Sequence, residues 1–486
     1  MTWPDDPHSW NFVKTCTGWL KGGVLAACGD GGTIAVWACT DLYAAASGHV
    51  HPVLVPQHLV PLFEIPVAGS VWGVDFASCV DSAGYVHRIV AASFNDRQAA
   101  VYYYGAAQNH VSIVAVELLP HNIPEISFVD YQVQDGTHVA VVSMACVSDQ
   151  LITYAFSWRM SSGAVDVVSA NMYPLATHRD PGQFWTVKPV ERRFFKRVHS
   201  VRALTGDNAL PPALQPHEIL RQGVLLTSTH PDPQVTSSLG AAAEWQRLAV
   251  PTLGTADPVD EPSKVGPDMG IVFSNGEMDS ETETSDLDME EFAENETAKD
   301  EPSLSAEWPL LVYGDSVRTE CRKALCSDKS ALTRSLEQKI LAVTSGTSLG
   351  LFHADTLFCC ARATDAIPYA LIPKPRNTHL DRMQLSLVIP KISCFVAASQ
   401  QGTVTIMRLC QYRGLYAMRQ ERVFPHFSCY SPSGDAVPLV GVSATERTVF
   451  AGSPEYFLYL TYRNGLVLTY RLLDKWDFFE IVCLDF

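Results

Sequence analysis

Catalysis or cofactor binding would have to come from a few short constellations. Gly29-Asp30-Gly31-Gly32 follows a β-rich run, as phosphate loops do. It lacks Gly-Lys-Ser/Thr, and the β-rich Thr33-Ile34-Ala35-Val36-Trp37 follows it. Without a helix N-terminus to aim N–H groups at an anion, it reads as a hairpin turn. His49, His51 and His58 could offer imidazoles to a metal, but they lie among Gly and Pro in a loop-like stretch. A catalytic zinc needs three placed ligands and an ordered second shell. Cys321 with Cys326, and Cys359-Cys360, do not make paired Cys-x-x-Cys knuckles. No serine-hydrolase elbow is read. The expectation is a non-enzymatic protein with no catalytic residue, cofactor or metal. A propeller hydrolase with two facing carboxylates is the weaker alternative.

Two features suit binding better. Arg192-Arg193-Phe194-Phe195-Lys196-Arg197, with His199 and Arg202 beyond, is the densest positive stretch. Arg interleaved with aromatics can stack on bases or hold phosphates; equally, it can be a basic edge strand facing acidic partners. Arg192, Arg193, Lys196, Arg197 and Arg202 are therefore the candidate anionic-partner patch. Ser280 and Ser285 each precede acidic residues, the context acid-directed kinases prefer, so both are candidate phosphorylation sites. Phosphorylation there would strengthen an anionic bait for Arg-rich partners.

The charge balance limits the partners. The 486 residues carry a net −17, from 52 acidic and 35 basic side chains. Residues 277–301 hold twelve acids and one lysine, a net −11, which leaves −6 elsewhere. An acidic chain repels a phosphate backbone, so nucleic acid is a secondary partner. From Thr229 to Ser305 the chain is rich in Pro, Ser, Thr, Gly and acid. Such a segment buries too little to offset its ordering entropy and reads as a disordered insertion between blades. The 13 cysteines have no framework spacing, and most lie in apolar runs as small core residues. No signal peptide or run of about 20 apolar residues appears. A reducing compartment, nucleus or cytoplasm, is expected, without a membrane.

Repeated hairpins must position everything else. Val24–Cys28 turns into Thr33–Trp37, and His87–Phe94 turns at Asn95-Asp96-Arg97 into Ala99–Tyr104. His138–Met144 leads to Leu151–Phe156, and Ile340–Thr344 to Leu349–Phe352. Ile392–Ser399 leads to Thr403–Met407, and Tyr456–Tyr462 turns at Asn464-Gly465 into Leu466–Tyr470. Gly and Asn tolerate the positive φ of tight turns. Apolar strands such as Val71–Phe76 and Ile123–Val129 precede some hairpins. The 10 Trp, 17 Tyr and 21 Phe suit half-buried pleated surfaces. A strand plus a hairpin, repeated, predicts an all-β, WD40-like β-propeller. Segments around Phe184–Lys188 and Gly223–Ser228 could supply a further blade, giving about seven, with six or eight open. Residues 1–228 form the first part of the propeller, 229–305 the insertion and 306–486 the remainder. A sandwich does not fill this length with one repeating unit. The helix candidates, Ala241–Leu248 and Ser330–Leu341, are short.

Several stretches resemble a fungal family of WD-repeat-like proteins, the constitutive ribonucleotide reductase transcription regulators. They are Leu380-Asp381-Arg382-Met383, Ile389-Pro390-Lys391-Ile392-Ser393, Ala398-Ser399-Gln400-Gln401-Gly402 and Arg408-Leu409. His121-Asn122-Ile123-Pro124 and Tyr459 to Leu472 are similar too. Lys391 stands where the family prefers an acid, and Lys475–Phe486 matches nothing. The resemblance implies a substrate receptor of a cullin-type ubiquitin ligase. Its implied partners are a multi-propeller linker protein and a degradation substrate, with nuclear roles in DNA-damage response and transcriptional control. The Trp-Asp-x-Arg ending of many such receptors is absent: Ala38 follows Trp37, and Arg159 follows Trp158. The alternative is a chromatin- or damaged-DNA-binding propeller subunit.

Overall fold

The computed structural model describes residues 10–16, 18–47, 60–67, 69–105, 110–148, 150–160, 167–179, 183–200, 203–204, 225–227, 330–346, 348–357, 359–363, 366, 382–424, 438–447, 454–463, 465–475 and 479–484. The chain divides into two units, 1–249 with 310–486, and 250–309. Every described element belongs to the first.

β1 (Trp10–Cys16), β2 (Val24–Gly29) and β3 (Thr33–Ala38) form the first sheet, joined after helix α1 (Cys39–Ser47) by β4 (Phe63–Pro66). The second sheet is β5 (Val71–Val80), β6 (Val86–Phe94), β7 (Gln98–Gly105) and β8 (His110–Leu118). The third is β9 (Glu125–Gln134), β10 (Thr137–Cys146), β11 (Gln150–Met160) and β12 (Val167–Arg179).

The chain then supplies β13 (Phe184–Glu191), the two-residue β14 (Lys196–Arg197), β15 (Leu225–Thr227) and helix α2 (Ser330–Glu337). β16 (Lys339–Ser345), β17 (Ser348–His353) and β18 (Cys359–Ala363) follow. The fourth sheet runs β13-β16-β17-β18-β15, with β15 parallel to β18. The fifth contains β19 (Leu385–Ile389), β20 (Cys394–Ala398), β21 (Val404–Tyr412) and β22 (Leu415–Phe424). β14 lies parallel to the end of β21. The sixth is β23 (Leu439–Arg447), β24 (Glu455–Tyr462), β25 (Val467–Asp474) and β26 (Phe479–Leu484).

All six expected hairpins are present as antiparallel pairs. Each sheet's first strand packs beside the first strand of the next, from β1 through β5, β9, β13 and β19 to β23. Apolar clusters fill the spaces between successive sheets. Meander sheets packed face to face, first strands innermost, make a β-propeller. Central strands show the cost of having two covered faces. Every residue of β20 is buried, so Cys394, Phe395, Val396, Ala397 and Ala398 form a continuous apolar run without alternation.

The described residues make six sheets, against the expected seven with six left open. The two segments proposed as a further blade are β13 and β15, and both lie in the fourth sheet. Sequence distance hides this arrangement, because the partners Phe184–Glu191 and Lys339–Ser345 are so far apart. β15 and β16, on either side of the acidic stretch in sequence, belong to that one sheet. Residues 229–305 themselves lie outside the described residues. The helix expected over Ser330–Leu341 stops at Glu337, because Ile340 to Val343 are needed as a buried strand. The candidate helix Ala241–Leu248 is outside the described residues.

Close approach of sheets needs special residues. A Cβ on Gly73 would lie 2.8 Å from Ser93 Oγ and 3.2 Å from both Glu125 Cα and Ile126 N, so glycine lets β5 meet β9. Trp19, in the β1–β2 connection, is only 1% exposed and enters the second sheet. Its Nε1 donates to the carbonyls of Ala77 and Ile89 at 3.1 and 3.2 Å, and its ring meets Phe63, Phe76 and Tyr104. Arg88 Nε donates to its carbonyl at 2.6 Å. Truncating a buried aromatic with two such bonds leaves a cavity and removes both bonds. Trp19→Ala should therefore cost about 3–5 kcal/mol in denaturant unfolding; a loss under about 1 kcal/mol would contradict this anchor.

Candidate interaction surface

The innermost strands carry charges, and the geometry shows what those charges do. Lys14 on β1 donates to Asp75 Oδ1 on β5 at 2.7 Å. Asp75 Oδ2 accepts the backbone N–H of Phe128 on β9 at 2.7 Å. Glu125 on β9 accepts Val187 N–H at 2.7 Å and pairs with Lys188, both on β13. Ser127 donates to the Val187 carbonyl at 2.8 Å, and Ser386 on β19 donates to Thr186 Oγ1 at 2.8 Å. Burial pulls the Lys14 ammonium down, but Asp75 and Glu125 more than offset it and hold it above its ordinary value. Each charge answers a group on the next sheet. These carboxylates tie one sheet to the next.

Among the described residues, a cluster of five rings lies between the second and third sheets. His87 bonds Asp81 Oδ2 and the Tyr103 hydroxyl, both at 3.0 Å. His138 bonds the Tyr131 hydroxyl at 3.0 Å and stacks on Trp158, with His87 edge-on at 4.9 Å. Burial first, then the His87 charge, lowers His138 to about 4, partly countered by Asp81. Burial likewise raises the thiols of Cys28 and Cys146 to about 12, far from a thiolate nucleophile.

The Gly29–Gly32 segment is the expected turn, with Gly32 at φ 79° and its N–H on the Gly29 carbonyl at 3.3 Å. Gly346-Thr347-Ser348-Leu349-Gly350 does have Gly-x-Ser-x-Gly spacing, which the sequence reading missed. It spans a strand-to-strand hairpin, with Ser348 the first residue of β17. A nucleophile elbow needs a strand-to-helix turn. Among the described residues, no three His, Cys, Asp or Glu side chains converge to hold a metal. His49, His51, His58, Cys321, Cys326, Ser280 and Ser285 lie outside the described residues.

The basic cluster is divided by the fold. Arg192 turns inward, its Nη2 2.8 Å from His353 Nδ1 and its guanidinium over Tyr416. Lys196 reaches the sixth sheet, at 3.1 Å from Asp474 Oδ1 and 3.2 Å from the Lys475 carbonyl. Arg193 is 71% exposed, paired with Glu191 at 2.6 Å and lying over Phe194. Arg197 is exposed, with its backbone paired to Gln411. Arg202 is outside the described residues. Arg413 is exposed in the β21–β22 turn and lies over Tyr412. The parallel β14–β21 pairing sets Arg197 opposite Gln411, two residues before it in sequence.

The fifth and sixth sheets share a deeper ion network. Arg408 is fully buried, bonding Glu421 at 2.9 Å and Asp474 at 2.7 Å, with its guanidinium 3.8 Å from the Phe479 ring centre. Lys391, the departure from the acidic pattern, meets Glu446 of the sixth sheet at 2.6 Å.

A family model for CRT10 matches residues 1–174, 168–306 and 315–472. The chain belongs to the CRT10 family. Its short motifs had pointed to the same regulators of ribonucleotide reductase transcription. The match stops at 472, before β26, in the tail that resembled nothing. Protein CRT10 of Saccharomyces cerevisiae is 26% identical over 141 residues, 27% of this chain and 14% of the yeast protein. This chain thus matches only a small part of that relative's length. Among solved structures, the Myceliophteria thermophila Cps50 (Swd1) β-propeller domain has a TM-score of 0.37 at 6% identity, covering 98% of this chain and 89% of that one. BBS1N, solved in complex with ARL6DN, scores 0.23 at 8% identity, covering 42% and 46%. The fold assignment rests on the six sheets themselves.

His138 makes the seam between the second and third sheets of this CRT10-family chain acid-sensitive. Its pKa is lower folded than the unfolded value near 6.5, so its contribution is complete above about pH 6.5 and declines as pH falls toward 4. At pH 5 the loss should be about 2 kcal/mol relative to pH 7. His138→Gln should lose that part of the pH dependence in urea unfolding; an unchanged slope would refute the assignment.

Proposed function

We propose that this CRT10-family propeller is a non-enzymatic scaffold that acts in the nucleus as a substrate receptor of a cullin-type ubiquitin ligase. In this reading it presents a degradation substrate to the ligase and so links DNA-damage response to transcription of ribonucleotide reductase genes. The observation that carries the reading is family membership along most of the chain. The propeller supports it, because stacked sheets leave rims and edges for other proteins while their interiors are filled by packing. The engaged inner carboxylates and raised thiols favour binding over chemistry. Among the described residues, no helix is long and apolar enough to cross a membrane.

The proposed arrangement is a propeller built from 1–228 and 306–486, interrupted in sequence by an acidic insertion at 229–305, with Ser280 and Ser285 as phosphorylation sites. The second reading, a chromatin- or damaged-DNA-binding subunit, draws on exposed Arg193 and Arg197. Affinity purification of the tagged full chain from its native cells should recover a cullin and its propeller linker. Recovery of chromatin proteins without any ligase subunit would replace the first reading with the second.

A further inference from the structure

The basic run ends on a hydroxyl. Ser200 stands three residues after Arg197 and four after Lys196, with Arg192 and Arg193 further upstream. One other serine follows an arginine at that distance, Ser162 after Arg159, and no Lys or Arg stands near before Arg159. Arginine at this spacing is what a basic-directed serine kinase reads. Carboxylates in the kinase groove take the guanidinium in a forked, charge-assisted pair, which places the hydroxyl at the γ-phosphate of ATP.

The fold sorts the run in a way that keeps this pattern on the surface. Arg192 and Lys196 are held by His353 and Asp474, in the packing between sheets. Arg197 and His199 are exposed, and Ser200 is half-buried. Lys196 and Arg197 pair with Cys410 and Gln411 of β21, and Val198 N–H donates to the Gln411 carbonyl at 3.0 Å. Ser200 stands where that pairing has ended. Beyond it the chain is anchored again. Ser200 Oγ accepts Ala203 N–H at 3.1 Å, and its carbonyl accepts Leu204 N–H at 3.0 Å. Leu204 is fully buried in the apolar cluster of Phe195 and Tyr416, and the Ala203 carbonyl accepts Arg419 Nη1 at 3.0 Å. The hydroxyl is the acceptor in its bond to Ala203, so its own proton is not used there.

We propose that Ser200 is a phosphorylation site for a basic-directed protein kinase, with Arg197 the residue that the kinase reads. The γ-phosphoryl group of ATP passes to Ser200 Oγ. An O–P bond forms there, the bond from the γ-phosphorus to the bridging oxygen breaks, ADP leaves, and the hydroxyl proton goes to the kinase's base. Ser280 and Ser285 lie among acids and suit the opposite class of kinase. The consequence at Ser200 is electrostatic. A phosphoserine carries about −1.5 to −2 charges near neutral pH. Arg193 is already paired with Glu191, and Arg197 is the exposed cation three residues away, so the phosphate reverses the sign of the local surface. An anionic partner would then be turned away from it.

The test is initial-rate phosphorylation of the folded full chain by a serine kinase of the cyclic-AMP-dependent type with ATP, the position being assigned by fragment masses. Phosphate at Ser200 is expected. Arg197→Ala should slow transfer to Ser200 by about tenfold or more. Arg159→Ala, an exposed charge on the third sheet, should leave the Ser200 rate unchanged. Ser200→Asn keeps an acceptor for Ala203 N–H and should lack this modification. An acid-directed kinase should leave Ser200 unmodified. No phosphate at Ser200, an undiminished rate in Arg197→Ala, equal transfer by the acid-directed kinase, or transfer only after the chain is unfolded would each overturn the proposal.

Discussion

The constraint on which the rest depends is that a sheet with two apolar faces needs a neighbour on each. It explains why β20 is buried throughout, and why the apolar clusters lie between sheets instead of forming one central core. It also crowds the first strands, where backbone and side-chain polar groups lose water. The structure answers with bonds that cross from one sheet to the next: Lys14 to Asp75, Asp75 to Phe128, Glu125 to Val187 and Ser386 to Thr186. Removing one partner of a buried pair costs about 3–5 kcal/mol, because the remaining charge is left unanswered. The inner charges are therefore part of the architecture.

The same economy governs the arginines. Arg408 and Arg192 are drawn into seams, where Glu421, Asp474, Tyr416 and His353 satisfy or cover them. On the surface, Arg193 pairs with Glu191 and lies over Phe194, and Arg413 lies over Tyr412. The inner carboxylates Asp75 and Glu125 are engaged between sheets.

Hairpins were legible in the sequence because turn chemistry and strand runs are local. Tyr456–Tyr462 and Tyr470 read as strands from their own residues, and the Gly29–Gly32 turn from its glycines. The fourth sheet was not legible, since nothing local tells Phe184–Glu191 that its partner is Lys339–Ser345. Helix α1 was missed although Leu42-Tyr43-Ala44-Ala45-Ala46 gives a helix-forming run, because the surrounding β pattern dominated. The basic run was legible from Arg192 to Arg197, but its division was not: Arg192 and Lys196 turn to His353, Tyr416 and Asp474, which are distant in sequence.

The pairing of β13 with β16 joins the two arms of the chain in one propeller. Thr186 and Thr344 are register partners, with hydroxyl oxygens 2.9 Å apart. Thr186→Cys with Thr344→Cys, oxidised in the folded chain and then cleaved in the intervening segment, should yield two fragments joined by a disulfide that reduction releases. Fragments that separate without reductant, while each single-cysteine control behaves identically, would contradict the account.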